Sequence, residues 1–169
     1  VLSAYTGLYI LDSANIFISI NPDKKLFFAY NKTSLYLNQR LVAIRACKKD
    51  IELITALLNS IFSLLIVELN GISRNLGALD LNADFFKNKM KILNPSFLND
   101  KQKQNIINKF TILSKRKIQN FTTEYTNTDR IEFDKAVLTA FGFNIASLQQ
   151  LYSLLTNTIR NRVEMKNRQ

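Results

Sequence analysis

The chain contains no histidine and a single cysteine, Cys47. Without histidine it lacks the commonest general base and the commonest imidazole metal ligand. One thiol rules out an internal disulfide framework and cannot by itself build a zinc site, so Cys47 reads as a small apolar filler or an incidental surface thiol rather than a nucleophile. There is no internal repeat, no low-complexity linker, and no charged n-region with a cleavage site to argue for secretion. The acidic residues Asp80, Asp84, Asp129, Glu132 and Asp134 occupy ordinary helix-start or surface positions. Asp134 follows Arg130 by one helical turn, a spacing for an ion pair with a structural rather than a catalytic role. Two glycosylation-type triplets, at Asn31 and Asn120, are chance matches in an Asn-rich sequence.

What is present is apolar residue and positive charge. With 169 residues, 47% of them hydrophobic, the chain can bury a real core, as one domain or as a domain with a helical appendage. It begins at Val1, which reads as a fragment of a larger cytosolic protein or a processed chain. The net charge of +10 favours a polyanionic partner, because each phosphate neutralised releases counterions. A solvated helix face is the competing explanation of the same excess. Basic residues gather at Lys87 to Lys91, Lys101 to Lys117 and Arg160 to Arg168, whereas Tyr5, Tyr9, Phe27, Phe28, Tyr30 and Tyr36 crowd the first quarter.

Periodicity divides the chain. Gly7 to Leu11, Ile16 to Ile20, Lys25 to Tyr30 and Ser34 to Ala46 are rich in β-branched and aromatic residues, with a turn at Asn21-Pro22-Asp23, and read as antiparallel strands. Ile51, Ile54, Leu57, Leu58, Ile61, Leu64, Leu65 and Leu69 fall at helical spacing, and Phe62, Ile66 and Val67 widen the stripe, so a central helix over 50–70 should be buried on several sides. Asp50 is placed to cap it, and Asn70-Gly71 to close it in the left-handed conformation. Glu52, Asn59, Ser60, Ser63 and Glu68 interrupt this run too often for a membrane span. A short strand, Ala78 to Leu81, should join the sheet before a turn or short helix at Asn82 to Lys91. Three helices then follow: Lys101 to Phe121, Asp129 to Phe141 ending at Gly142, and Ser147 to Met165. The expectation is an α+β fold with a small, mostly antiparallel sheet packed on a central apolar helix, followed by a C-terminal helical bundle. A β-rich region would occupy residues 1–95 and the helical region 96–169, with Asn94-Pro95 as the hinge.

Particular residues carry a family resemblance. Leu57-Leu58-Asn59-Ser60, then Gly71, then Arg74 to Gly77 followed by Ala78-Leu79-Asp80-Leu81, resembles the target-recognition region of bacterial N6-adenine DNA methyltransferases of restriction-modification systems. Asp129-Arg130-Ile131-Glu132-Phe133-Asp134-Lys135-Ala136-Val137, then Phe141-Gly142-Phe143 and a closing Arg162, resembles the tail of the same enzymes. Together the two signatures span Leu57 to Arg162 in the family's order. The first fifty residues resemble it only loosely, as a β-rich recognition portion ending in Leu37-Asn38-Gln39-Arg40. The likeness implies a target-recognition and C-terminal helical region, double-stranded DNA as partner, and S-adenosylmethionine held by a catalytic domain outside this chain. A nuclease fused to the parent enzyme is compatible with it.

Asn94-Pro95-Ser96-Phe97 superficially resembles the Asn-Pro-Pro-aromatic motif of amino methyltransferases, in which the Asn accepts from the target amine and the ring stacks on the flipped base. Here the second proline is replaced and no Gly-rich strand-to-helix turn lies upstream, so the segment reads as a linker and the chain alone as inactive. Lys32, Asn38, Arg40, Arg74, Asn75 and Lys87 are the residues expected to touch DNA. For Arg74 and Asn75 the turn before Gly77 provides exposure, with capping or a plain surface role as the alternative. The other reading of the whole chain is a nonenzymatic interaction module whose apolar helices dock another subunit.

Overall fold

A computed structural model describes residues 13–36, 38–46, 48–74, 77–82 and 84–164, excepting the side chains of Ser13, Lys48 and Lys87. Strand alternation is clearest in β1 (Ser13–Ser19), where Ala14, Ile16 and Ile18 are buried and the residues between them are not. This period of two aims one face of the strand at the helices. β1 lies between β2 (Ala29–Tyr36) and β3 (Leu41–Ile44), antiparallel to both. Ala14 pairs with Leu35 and Ile16 with Tyr30, so Asn15 alone opposes residues 31–34. Those residues form a wide bulge on an edge strand, a device that turns side chains outward. The expected strand at Gly7 to Leu11 lies outside the described residues.

The apolar run 51–70 is two helices, not one. α1 (Ile51–Leu58) and α2 (Ile61–Asn70) are bent by 58° at Asn59-Ser60. The cause is local competition for backbone groups. Asn59 Nδ2 donates to the carbonyls of Thr55 (2.9 Å) and Phe28 (2.8 Å), its Oδ1 accepts from the Phe28 N–H (3.0 Å), and Ser60 Oγ donates to the Leu57 carbonyl (2.7 Å). Ser60 is extended, at φ −65° and ψ 154°, and starts α2 afresh. Asp50 stands at the N-cap of α1 without a side-chain bond to the helix. Gly71 is also extended, at φ −63°, so the left-handed closure expected there does not form. Glycine serves close packing instead, since a Cβ would lie 2.6 Å from Leu79 Cδ1 and 2.9 Å from the Val67 carbonyl. Among the described residues no single helix is long and apolar enough to cross a membrane.

β4 (Ile72–Arg74) and β5 (Ala78–Asp80) form their own hairpin rather than extending the larger sheet. A backbone bond from Leu81 to Ile20 (2.9 Å) ties it to the end of β1. A π-helical turn, Phe85–Lys89, follows and buries both Phe85 and Phe86. In the C-terminal part, Asn99 and Gln102 complete a capping box at the start of α3 (Asp100–Ser114). The helix expected through Phe121 stops earlier, and α4 (Phe121–Glu124) is a separate turn capped by Asn120. α5 (Thr128–Ala140) ends where Gly142 takes φ +73° and the N–H groups of Gly142 and Phe143 return to Thr139 and Leu138, the bonding of a Schellman cap. α6 (Leu148–Glu164) closes the described chain.

Two apolar clusters hold these elements. One joins Ile16, Ile18 and Phe28 to Leu64 and Phe85 and to Leu155 and Ile159 of α6. The other joins Leu57 of α1 to Ile106 and Phe110 of α3 and Phe133 and Val137 of α5. The fold is therefore α+β, with small antiparallel sheets packed on central apolar helices and C-terminal helices around them. Residues before and after Asn94-Pro95 contribute to both clusters.

Candidate nucleic-acid interface

Of the residues expected to touch DNA, Lys32, Asn38, Arg40 and Arg74 fall into two places. Asn38 and Arg40 share the exposed turn before β3, where Asn38 Oδ1 accepts from the Arg40 N–H (2.9 Å). The Arg40 carbonyl accepts from Ile20 (3.0 Å), and the Ile20 carbonyl accepts from Leu81 just beyond β5. Ile20 thus links the Asn38–Arg40 turn to the hairpin carrying Arg74. Arg74 is exposed but engaged with Asp80 across the hairpin (2.6 Å), which neutralises part of its charge. Lys32 lies apart, on the β2 bulge, 3.2 Å from Glu52 of α1. Asn75 lies outside the described residues, and Lys87 sits in the π-helical turn with its side chain outside the description. Asn94 is occupied in its own turn, its Oδ1 accepting from the Ser96 N–H (3.0 Å) and Oγ (2.8 Å).

Sequence reasoning missed a groove of about 640 Å³ beside Lys32. Lys25, Phe27 and Tyr30 line it together with Phe110, Leu113 and Lys117, and Asn59, Glu124 and Arg130 also border it. Segments far apart in sequence make it, so no local pattern announces it; the aromatic residues of the first quarter were the available signal.

Two buried polar networks brace this surface. Arg130 and Asp134, 2% and 0% exposed, form an ion pair at 2.8 Å. The pair sits at the α1–α2 break, where Arg130 Nη2 donates to the Asn59 carbonyl (2.7 Å) and Asp134 Oδ1 accepts from the Ile61 N–H (2.9 Å). One member takes an orphan carbonyl at the end of α1 and the other an orphan N–H at the start of α2. Tyr152 of α6 donates to Asp134 Oδ2 (2.8 Å), and the Arg130 guanidinium lies over the rings of Tyr125 (5.4 Å) and Phe133 (5.5 Å). Burial pushes both the Tyr125 and Tyr152 phenols above their ordinary value, and the neutral Tyr152 hydroxyl is the donor to Asp134.

In the second network Arg162 is bidentate to Glu68 (2.6 and 3.1 Å) and donates to the carbonyls of Gly77 (2.7 Å) and Asp23 (3.2 Å). One guanidinium clamps α6 to α2, to the hairpin and to the loop after β1. Gly77 has φ +70°, and a Cβ there would run into the Arg162 carbonyl, so only glycine permits this approach.

A third cluster, less buried, closes the turn after α3. Arg116 bonds both oxygens of Glu124 (2.9 Å each) and both of Asp129. Hydrogen bonds from Arg116 hold the Asp129 carboxyl below its ordinary 3.8. A carboxyl depressed in the folded state adds stability above its unfolded value and loses it as pH falls through the folded one. Wild type should therefore be more stable than Asp129→Asn in urea at pH 6, with the gap closing below about pH 4. A gap that persists undiminished at pH 3 would show that the ionised Asp129 is not its source.

Compared with protein-family models, with curated proteins and with solved structures, the chain finds no match, so its functional reading rests on these residues and their chemistry.

Proposed function

We propose that the chain is the target-recognition and C-terminal helical region of an S-adenosylmethionine-dependent adenine-N6 DNA methyltransferase of a restriction-modification system, acting in the bacterial cytoplasm beside a catalytic domain encoded elsewhere. The observation that carries this reading is the convergence of the residues bearing the family resemblance. Asn59 meets Arg130, the Ile61 N–H beside Ser60 meets Asp134, and Gly77 meets Arg162, although the partners lie far apart in the chain. A scattered pattern of that kind acquires a physical purpose if it specifies one braced unit. The cofactor belongs to the other domain, since Gly7, Gly71, Gly77 and Gly142 are too dispersed to form a phosphate- or cofactor-cradling turn.

In this reading exposed lysines and arginines grip phosphates while the Asn38–Arg40 turn and the β4–β5 hairpin approach base edges. The rigid networks beneath hold those loops in register while the catalytic domain extrudes adenine. Fluorescence anisotropy with duplex DNA at 50 to 200 mM salt tests it. Affinity should fall steeply with salt, and Arg40→Gln should weaken binding and reduce the logarithmic salt slope by about one. Duplex binding that ignores both salt and Arg40 would remove the basis of the proposal. Exposed apolar side chains, Phe97 in the turn before α3, Ile112 on α3 and Leu154 on α6, favour a second reading as a protein-docking module. That reading expects the chain to show no salt-dependent duplex binding.

A further inference from the structure

We infer that the groove beside Lys32 is a single-strand subsite, taking an unpaired nucleotide with its phosphates on Lys25 and Lys117 and a base against Phe27 and Tyr30. The inference rests on the DNA-binding reading above and adds a site to it. At about 640 Å³ the groove lies within the range of about 300–1,000 Å³ typical of ligand pockets. It admits a nucleotide-sized piece of one strand and is too small for a duplex.

Its lining matches such a ligand. Lys25 comes from the loop before β2 and Lys117 from the turn after α3, so two chain segments bring ammonium groups to one opening. Among the described residues neither forms an ion pair. Glu124, the carboxylate that borders the groove, is taken by Arg116, and a phosphate between the two ammonium groups would relieve their mutual repulsion. Arg116 adds no free charge, because its guanidinium is spent on Glu124 and Asp129. Phe27 is 37% exposed within the same groove, and Tyr30 is half-buried. Rings and cations lining one groove are the means by which proteins hold single strands, stacking bases and tracking the backbone.

The walls are set before any ligand arrives. Both the N–H and the carbonyl of Phe28 are bound by the Asn59 amide, and the Lys24 carbonyl accepts from the Phe121 N–H (3.1 Å). Among the described residues no buried side-chain polar atom lacks a partner. The groove is therefore not a gap left by a missing structural group, and a ligand pays little to order it.

The test is fluorescence anisotropy of the whole chain with a labelled thymidine oligonucleotide of about ten residues, a length matched to single-strand site sizes. Lys25→Gln/Lys117→Gln should weaken binding roughly tenfold near 0.1 M salt and lower the logarithmic salt slope by about 1.4. Phe27→Ala should weaken it by roughly tenfold with the slope unchanged. These side chains are exposed, and unchanged urea midpoints would establish that the variants fold. Unaltered oligonucleotide affinity in both variants overturns the subsite. So does a loss confined to the lysine variant, which marks a diffuse basic surface. Salt-dependent duplex binding that still responds to Arg40→Gln would leave the recognition reading standing when the groove fails; single-strand binding that responds to all three groove residues without duplex binding would do the reverse.

Discussion

Asp134→Ala should lower the unfolding free energy by about 3–5 kcal/mol, the usual consequence of removing one member of a fully buried ion pair. Arg130 would be left in the core at 2% exposure. A guanidinium cannot discard its proton to escape that position. The same substitution strips the Ile61 N–H of its acceptor and leaves the Tyr152 hydroxyl only the longer bond to the Arg130 carbonyl (3.3 Å), adding the cost of an unsatisfied buried donor. Arg130→Met should be milder, because the remaining carboxyl can take up a proton and burial already raises it above its ordinary value. Urea unfolding at constant pH decides the order. Equal losses in the two variants, or a loss in Asp134→Ala below about 1 kcal/mol, would show that the pair does not hold the α1–α2 joint.

The second large effect is expected at Arg162. Arg162→Ala leaves the Glu68 carboxylate buried without its partner and removes donors from the Gly77 and Asp23 carbonyls, a loss again of about 3–5 kcal/mol. Arg162→Lys should recover little of it. An ammonium supplies charge to Glu68 but not the planar fork that spans a bidentate carboxylate and two carbonyls together. Because the clamp fastens the β4–β5 hairpin, amide hydrogen exchange should accelerate over 72–80 more than in α3 or α5. A lysine variant as stable as wild type, or exchange that rises uniformly, would deny Arg162 this role.

These two networks show how far linear reading reaches. The i, i+4 spacing of Arg130 and Asp134 announces an ion pair, and the pair forms. Nothing local tells whether it is solvated or buried, and that difference separates a few tenths of a kcal/mol from several. Asn59, Ser60, Ser63 and Glu68 stand out as polar interruptions of an apolar run. In the fold Asn59 and Ser60 break the helix, while Glu68 receives a charge from α6. Gly71 and Asp50 mark helix ends in the sequence, yet neither uses the capping chemistry its type suggests. Of the expected DNA-contacting residues, Asn38 and Arg40 share one turn, whereas Lys32 lies in a groove announced in the sequence only by the aromatic residues of the first quarter.

By itself the sequence determined the class of the fold, the excess of positive charge and the approximate position of β1, β5, α3, α5 and α6. Those properties depend on neighbours along the chain: alternation in β1, helical spacing in α3, α5 and α6, glycine at the end of α5. Tertiary structure alone decided which charges are dry and where a groove opens. Both depend on partners distant in the chain, as when Arg130 meets Asn59, 71 residues away, and Arg162 meets Glu68, 94 residues away. The energy of a charge is set by the medium around it, and that medium exists only after the chain has folded.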